Sequence, residues 1–127
     1  MIKTDSSAVA LAVRHLEAWT NHDLEGARKN LAADVQFFSP AANLTGIDDY
    51  MNAPRGLAQF AKQVVPGSLR IIATSGDDGN ALVMYEVTTG GGPLGARIFP
   101  SAQTWQLDEK GRIKVERIVS YSYPRST

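Results

Sequence analysis

Apolar positions recur at two different periods along this chain, and the change of period divides it. From Ser7 to Thr20, residues about 100° apart around a helix put Val9, Ala12, Val13, Leu16 and Trp19 on one face, with Arg14 and Glu17 opposite. Leu11, His15 and Ala18 widen the apolar arc beyond half the circumference, so this helix is expected to be covered on more than one side. Asp5 or Ser6 supplies its N-cap oxygen. Asn21-His22 breaks it, and Asp23 caps a second, short helix through Leu24, Ala27 and Leu31. Val35-Gln36-Phe37-Phe38 reads as a strand stopped by Pro40, and residues 41–47 as a loop. Leu57, Phe60, Ala61 and Val64 return to helical spacing, giving a third helix in two pieces around Pro54 that ends at Pro66-Gly67.

Beyond Gly67 the period falls to two. Strands over 68–74, 80–89, 96–107 and 112–122 are separated by Gly76-Asp77-Asp78-Gly79, Gly90-Gly91-Gly92-Pro93 and Asp108-Glu109-Lys110-Gly111. Short glycine-containing loops join consecutive strands as antiparallel hairpins. Pro100, which has no N–H to give a neighbour, points to an edge strand or a bulge that bends the sheet. Helices followed by a meander make an α+β domain. The expected form is a curved antiparallel sheet wrapped around the N-terminal helices, and no linker or repeat divides residues 1–127.

Composition narrows the partners. The 127 residues fit one core without staples, and 43% apolar with 20% charged residues describe a soluble globular chain. Thirteen basic residues balance thirteen acidic ones. That balance removes the electrostatic footprint of a nucleic-acid binder, and no Lys/Arg cluster favours an anionic membrane. Without cysteine there is no disulfide, thiolate nucleophile or Cys-ligated zinc, which suits a reducing cytoplasm. The apolar run Ser7–Val13 ends at Arg14-His15 with no cleavage site after it, and no stretch approaches the roughly 18 apolar residues of a membrane span. A cytoplasmic domain is expected.

The order helix, helix, strand, helix, then four antiparallel strands resembles the nuclear transport factor 2-like superfamily, which includes SnoaL-like polyketide cyclases and ketosteroid isomerase. Ala18-Trp19-Thr20-Asn21-His22-Asp23-Leu24 is similar to that family's junction between its first two helices, and Ala33-Asp34-Val35-Gln36-Phe37 to its entry into the first strand. Gly46 before the third helix and Lys110-Gly111-Arg112-Ile113 at the last hairpin also fit. The resemblance runs over roughly residues 8–121. It implies a cystatin-like cone, a sheet curled around helices with a cavity at its open end, and a homodimer. It also implies where ketosteroid isomerase would carry its oxyanion-hole tyrosine, its catalytic base and its protonated aspartic acid: at His15, at Ser39 before Pro40, and at Gln103. All three residue types differ here. A serine hydroxyl without a neighbouring base does not abstract a proton near neutral pH, so steroid isomerisation by that route is not expected.

Three polar side chains are expected to converge in the cavity: His15, Gln103 and Glu116. Alternation puts Phe99, Ser101, Gln103, Trp105 and Leu107 on one face of their strand. A four-residue Asp108–Gly111 loop sets Leu107 opposite Arg112, Gln103 opposite Glu116 and Ser101 opposite Ile118. A five-residue loop pairs Gln103 with Arg117 and Trp105 with Val115 instead, and a one-residue slip swaps every side chain between faces. The first register agrees with the family pattern and leaves Val115, Val119 and Tyr121 on the outer face, where a second subunit would cover them.

His15 is either a core-flanking group tied to a neighbour or a pocket donor and general base. Gln103 either ties strands together or donates its amide to a ligand carbonyl. Glu116 is either solvated or, if buried, a proton carrier. Arg97 pointing inward would suit a carboxylate or enolate, and pointing outward would be a solvated strand-end arginine. Trp19, Ser39, Phe60, Ser101, Trp105 and Ile118 are the candidates for the cavity wall, the aromatics serving equally as core. His15 and His22 lack metal-ligand spacing, and the triple glycine precedes no helix that would cradle a phosphate. No metal or cofactor is therefore expected. Two readings follow. One is an enzyme moving protons on a small, hydrophobic carbonyl compound, and the other a non-catalytic module that binds an apolar ligand or dimerises.

Overall fold

Ser6 starts the first helix by accepting the Val9 N–H on its hydroxyl at 3.1 Å, which satisfies one of the donors that a helix start leaves unpaired. In the computed structural model, which describes residues 6–40, 42–90 and 95–120, α1 then runs over Ser7–Thr20. Its buried stripe is Ala8, Leu11, Ala12, His15, Leu16 and Trp19, while Val9 and Val13 are half-buried. The stripe is thus turned from the expected one, towards two alanines whose small side chains let the helix lie close to the sheet. Asn21 caps α1, and His22 takes a left-handed φ of 68° that is uncommon outside glycine. Its ring Nε2–H donates to the Val64 carbonyl at 2.8 Å. Asp23 then accepts the Gly26 N–H and opens α2, Leu24–Arg28.

β1 begins earlier than the sequence implies, at Leu31, and runs to Phe38. The expected loop over 41–47 contains a short strand, β2 (Asn43–Thr45), paired back on β1. The third helix is in two pieces as expected, α3 (Ile47–Asn52) and α4 (Leu57–Ala61) on either side of Pro54. The meander follows as β3 (Arg70–Gly76), β4 (Asn80–Thr88), β5 (Ile98–Leu107) and β6 (Ile113–Ser120). Gly91-Gly92-Pro93 and Tyr121 lie outside the described residues.

The six strands form one sheet in the order β2-β1-β6-β5-β4-β3. It is mixed rather than wholly antiparallel, because β6 returns alongside β1 in the same direction. Irregularities sit between Ile71 and Ala73, between Leu31 and Gln36, and between Gln106 and Leu107; such extra residues bend and twist a sheet. Pro100 is at none of them. It lies in the interior strand β5, paired with Glu86 in an unbroken register, one position beyond the last β5–β6 pair, Ser101 with Ser120.

The last hairpin corrects the expected pairing. Gln103 faces Ile118, Thr104 faces Arg117 and Trp105 faces Glu116. The turn takes five residues, so Leu107 faces Ile113, and the bulge between Gln106 and Leu107 adds one more; together they displace the partners by two residues from the four-residue-loop register, so sidedness survives while the pairs change. Helix α1 packs on β3, β4 and β5, and α3 on β1 and β2. Between them lies a core of Leu16, Trp19, Val35, Val83, Val87 and Ile113. No helix among the described residues is long and apolar enough to cross a membrane.

Candidate functional site

Where the helices draw away from the inner face of the sheet, a cavity of about 290 Å³ is left. This is at the small end of ligand pockets. Its apolar wall comes from Trp19 on α1, Phe37 on β1, Leu57 and Phe60 on α4, and Ile118 on β6. Trp19 and Phe60 meet at 5.7 Å between ring centroids, and Phe60 meets Phe99 edge-on at 5.8 Å, an arrangement aromatic rings favour. Exposed Pro40 and Arg55 mark where the cavity reaches the surface, while Tyr50, Tyr85 and Gln103 form its inner polar end.

At that inner end two hydrogen-bonded groups meet, one through Gln103 and the other through His15. Tyr85 donates its hydroxyl proton to Gln103 Oε1 at 2.7 Å, and Gln103 Nε2–H donates to Glu116 Oε1 at 2.5 Å. The other carboxylate oxygen, Oε2, makes no hydrogen bond among the described residues and lies 3.4 Å from His15 Nε2. His15 Nε2 is also 3.2 Å from the Tyr50 hydroxyl. On the far side of the ring, His15 Nδ1 is 3.1 Å from the Ala27 carbonyl. A carbonyl can only accept, so Nδ1 keeps its proton and Nε2 is the nitrogen that takes or gives one. His15 and Glu116 are both 0% exposed.

Burial and charge act together on the two tyrosines. Loss of solvation, and then the negative charge of Glu116, push the Tyr50 hydroxyl well above the ordinary phenol range. The same causes in the same order raise Tyr85. Both remain neutral donors at physiological pH. Tyr85 and Gln103 have each committed one proton inside the protein.

The sequence-derived candidates divide between wall, backing and surface. Gln103, Trp19, Ser39, Phe60 and Ile118 line the cavity. His15 and Glu116 stand behind Tyr50 and Gln103 and touch the cavity through them. Ser101 is buried on β5 opposite Tyr85, and fully buried Trp105 lies opposite Glu116, its Nε1 lacking a hydrogen-bond partner among the described residues. Arg97 is exposed, with its guanidinium 4.3 Å above the Phe99 ring, and lies outside the lining.

Sequence reasoning did not find Tyr50, Tyr85, Phe37 or Arg55. Strand alternation with Val83 and Val87 was a usable signal for Tyr85. Nothing local marks Tyr50, which meets His15 because α3 packs on β1.

A family model for the SnoaL-like domain matches residues 12–116. Among solved structures, a protein from Kribbella flavida is 26% identical with a TM-score of 0.77, the match covering 91% of this chain and 88% of that one. A proposed SnoaL-like polyketide cyclase from Shewanella putrefaciens is 16% identical (TM-score 0.76; 92% and 81% covered). A proposed ketosteroid isomerase from Kribbella flavida is 19% identical (TM-score 0.70; 95% and 82% covered). The last two likenesses are of fold alone. No curated protein matches. With the family match extending from α1 to Glu116 itself, the chain belongs to the SnoaL-like domain family.

Proposed function

We propose that this domain is a small-molecule enzyme that moves a proton on a hydrophobic carbonyl compound, in a reaction of the isomerase, cyclase or dehydratase kind. The observation that carries the reading is the solvent-free His15–Glu116 pair, joined to an apolar cavity through Tyr50 and Gln103. Buried polar groups are costly unless paired or used, and among the described residues one carboxylate oxygen of Glu116 has no hydrogen bond.

The network offers a route for the proton. An enol hydroxyl in the cavity gives its proton to the Tyr50 oxygen while the proton of Tyr50 passes to His15 Nε2, 3.2 Å away. Tyr50 ends as neutral as it began, which its raised pKa requires. The new imidazolium is held by Glu116 Oε2 at 3.4 Å. The substrate oxygen, now anionic, is met by the Tyr50 O–H and the spare Gln103 N–H. Its electron pair re-forms the carbonyl as the relay returns the proton to carbon. No atom is gained or lost.

A second reading rests on a specific observation: neither His15 nor Glu116 lines the cavity. The network then braces the core of a non-catalytic binding module. Self-association belongs to either reading. Met84, Ala102 and Val119 lie in register across three strands on the outer sheet face, with Leu82 two residues along on the same face, and Val119 is 59% exposed. A second copy of the chain covering them would remove that surface from water.

Ketonisation of the benzoylacetone enol, followed by ultraviolet absorbance, tests the choice. Wild-type protein is expected to accelerate the decay over buffer, and His15→Ala, Glu116→Gln and Tyr50→Phe to abolish the acceleration while remaining folded. Binding without acceleration would leave the module reading.

A further inference from the structure

Helix α4 gives the cavity Leu57 and Phe60, and the chain on either side of it is anchored. Before the helix, Pro54 prevents α3 from continuing, and the Gly56 N–H closes the turn on the Ala53 carbonyl at 2.8 Å. Gly56 lies so near α3 that a Cβ there would stand 2.6 Å from the Tyr50 carbonyl oxygen. After the helix, the His22 ring donates to the Val64 carbonyl at 2.8 Å, and Asn21 Oδ1 accepts the Gly67 N–H at 2.9 Å. These tie the chain to the end of α1. The Val65 N–H donates to the Thr88 carbonyl at 2.8 Å and the Gly90 N–H to the Gln63 carbonyl at 2.8 Å, which tie it to the end of β4. The Phe60 ring is propped as well. It meets Trp19 at 5.7 Å and Phe99 edge-on at 5.8 Å, and the Arg97 guanidinium lies 4.3 Å from the Phe99 ring centroid.

We infer that Phe60 sets the width of the cavity, and that the compound taken up carries a single six-membered ring seated against Trp19 and Phe60. Its carbonyl or enol oxygen then points to Tyr50, Tyr85 and Gln103. This rests on the cavity being a small-molecule site and adds the size class of the ligand and the residue that selects it. A volume of about 290 Å³ holds one ring with a short oxygen-bearing arm and not a fused polycycle. Trp19, Phe37 and Phe60 offer such a ring the stacked and edge-on contacts that aromatic groups favour. A second ring fused at the side would have to displace Phe60, which has Phe99 against it and a backbone held on both sides. Packed walls of this kind resist extra volume rather than yield to it.

Calorimetric titration with benzoylacetone and with 1-(1-naphthyl)butane-1,3-dione tests the inference, since the two share the diketone arm and differ by one ring fused at the side. Wild-type protein is expected to bind benzoylacetone about tenfold more tightly, the discrimination that overpacking an apolar wall produces. Phe60→Ala is expected to reverse the preference. Phe60→Leu, which keeps an apolar side chain should the alanine variant unfold, is expected to bring the two within about twofold. Phe60→Trp should weaken benzoylacetone by about tenfold or more. Ile72→Ala, at an exposed position of the edge strand β3, should leave the wild-type preference intact. Equal binding of the two compounds by wild type overturns the inference while the pocket reading stands. A wild-type preference that survives unchanged in Phe60→Leu or Phe60→Ala overturns it as well. Failure of both compounds to bind overturns the pocket reading and this inference with it.

Discussion

His15 Nε2 and Glu116 Oε2 are 3.4 Å apart, and neither side chain reaches solvent. A charge in such a place is stabilised only by the groups that touch it, because water cannot reach it. Removing one member therefore costs more than removing both. His15→Leu or Glu116→Leu alone is expected to destabilise the domain by about 3–5 kcal/mol, and the double variant to recover much of that loss. Urea unfolding at pH 7 measures all three. A double variant as unstable as the sum of the singles would show that the pair is not coupled.

Tyr50 and Tyr85 set the alkaline limit. Their folded-state pKa values lie above the ordinary value of 10.0, from burial first and the Glu116 charge second. Below pH 10 both are protonated whether folded or unfolded, so this contribution to stability is fully present. As pH rises past 10 the unfolded phenols ionise and the buried ones do not, and stability falls by about 1.4 kcal/mol per pH unit for each tyrosine. Unfolding free energies measured between pH 8 and 11.5 should decline with about half that combined slope in Tyr50→Phe. An unchanged slope would place Tyr50 in water.

Gly56→Ala tests the corner between α3 and α4 that holds Tyr50 at the inner end of the cavity. The added methyl would stand 2.6 Å from the Tyr50 carbonyl and 3.0 Å from that of Ala53, both backbone atoms with little room to move. A loss of about 1–3 kcal/mol is expected. Gly79→Ala, where the Cβ meets nothing within 4 Å, should stay within about 0.5 kcal/mol of wild type. Thermal melts of the two variants side by side give the comparison.

Charge on the outer sheet face should oppose self-association without touching the cavity. Val119→Lys places an ammonium where Ala102 and Val119 lie opposite each other, and a like charge meeting its copy across a two-fold contact is repulsive. Sedimentation equilibrium is expected to show a wild-type dimer and a monomeric variant of unchanged melting profile in dilute solution. A wild-type chain that sediments as a monomer at micromolar concentration would end the proposal that a second copy covers this face.

How much of this was legible beforehand follows from the range of each interaction. Helical spacing and the Ser6 cap gave α1, Pro54 gave the split third helix, and alternation along β5 put Gln103, Ser101 and Trp105 on the buried face. These are local consequences of backbone geometry, and a chain of residue types contains them. The parity of β6 was readable too, so Gln103 and Glu116 were placed on one side before their partners were known. The partners were not readable, because a five-residue turn and a bulge between Gln106 and Leu107 each shift the pairing by one, and no residue there announces the bulge. Tyr50 and Arg55 escaped for a different reason. Each is unremarkable within its own few residues, and only the folding of α3 and α4 across α1 and β1 carries one under the sheet and the other to the rim. Sequence settles which faces are apolar, since that depends on neighbours one turn or two residues away. Which polar groups share a buried space depends on contacts between distant segments, and those were fixed only when the whole core closed around His15 and Glu116.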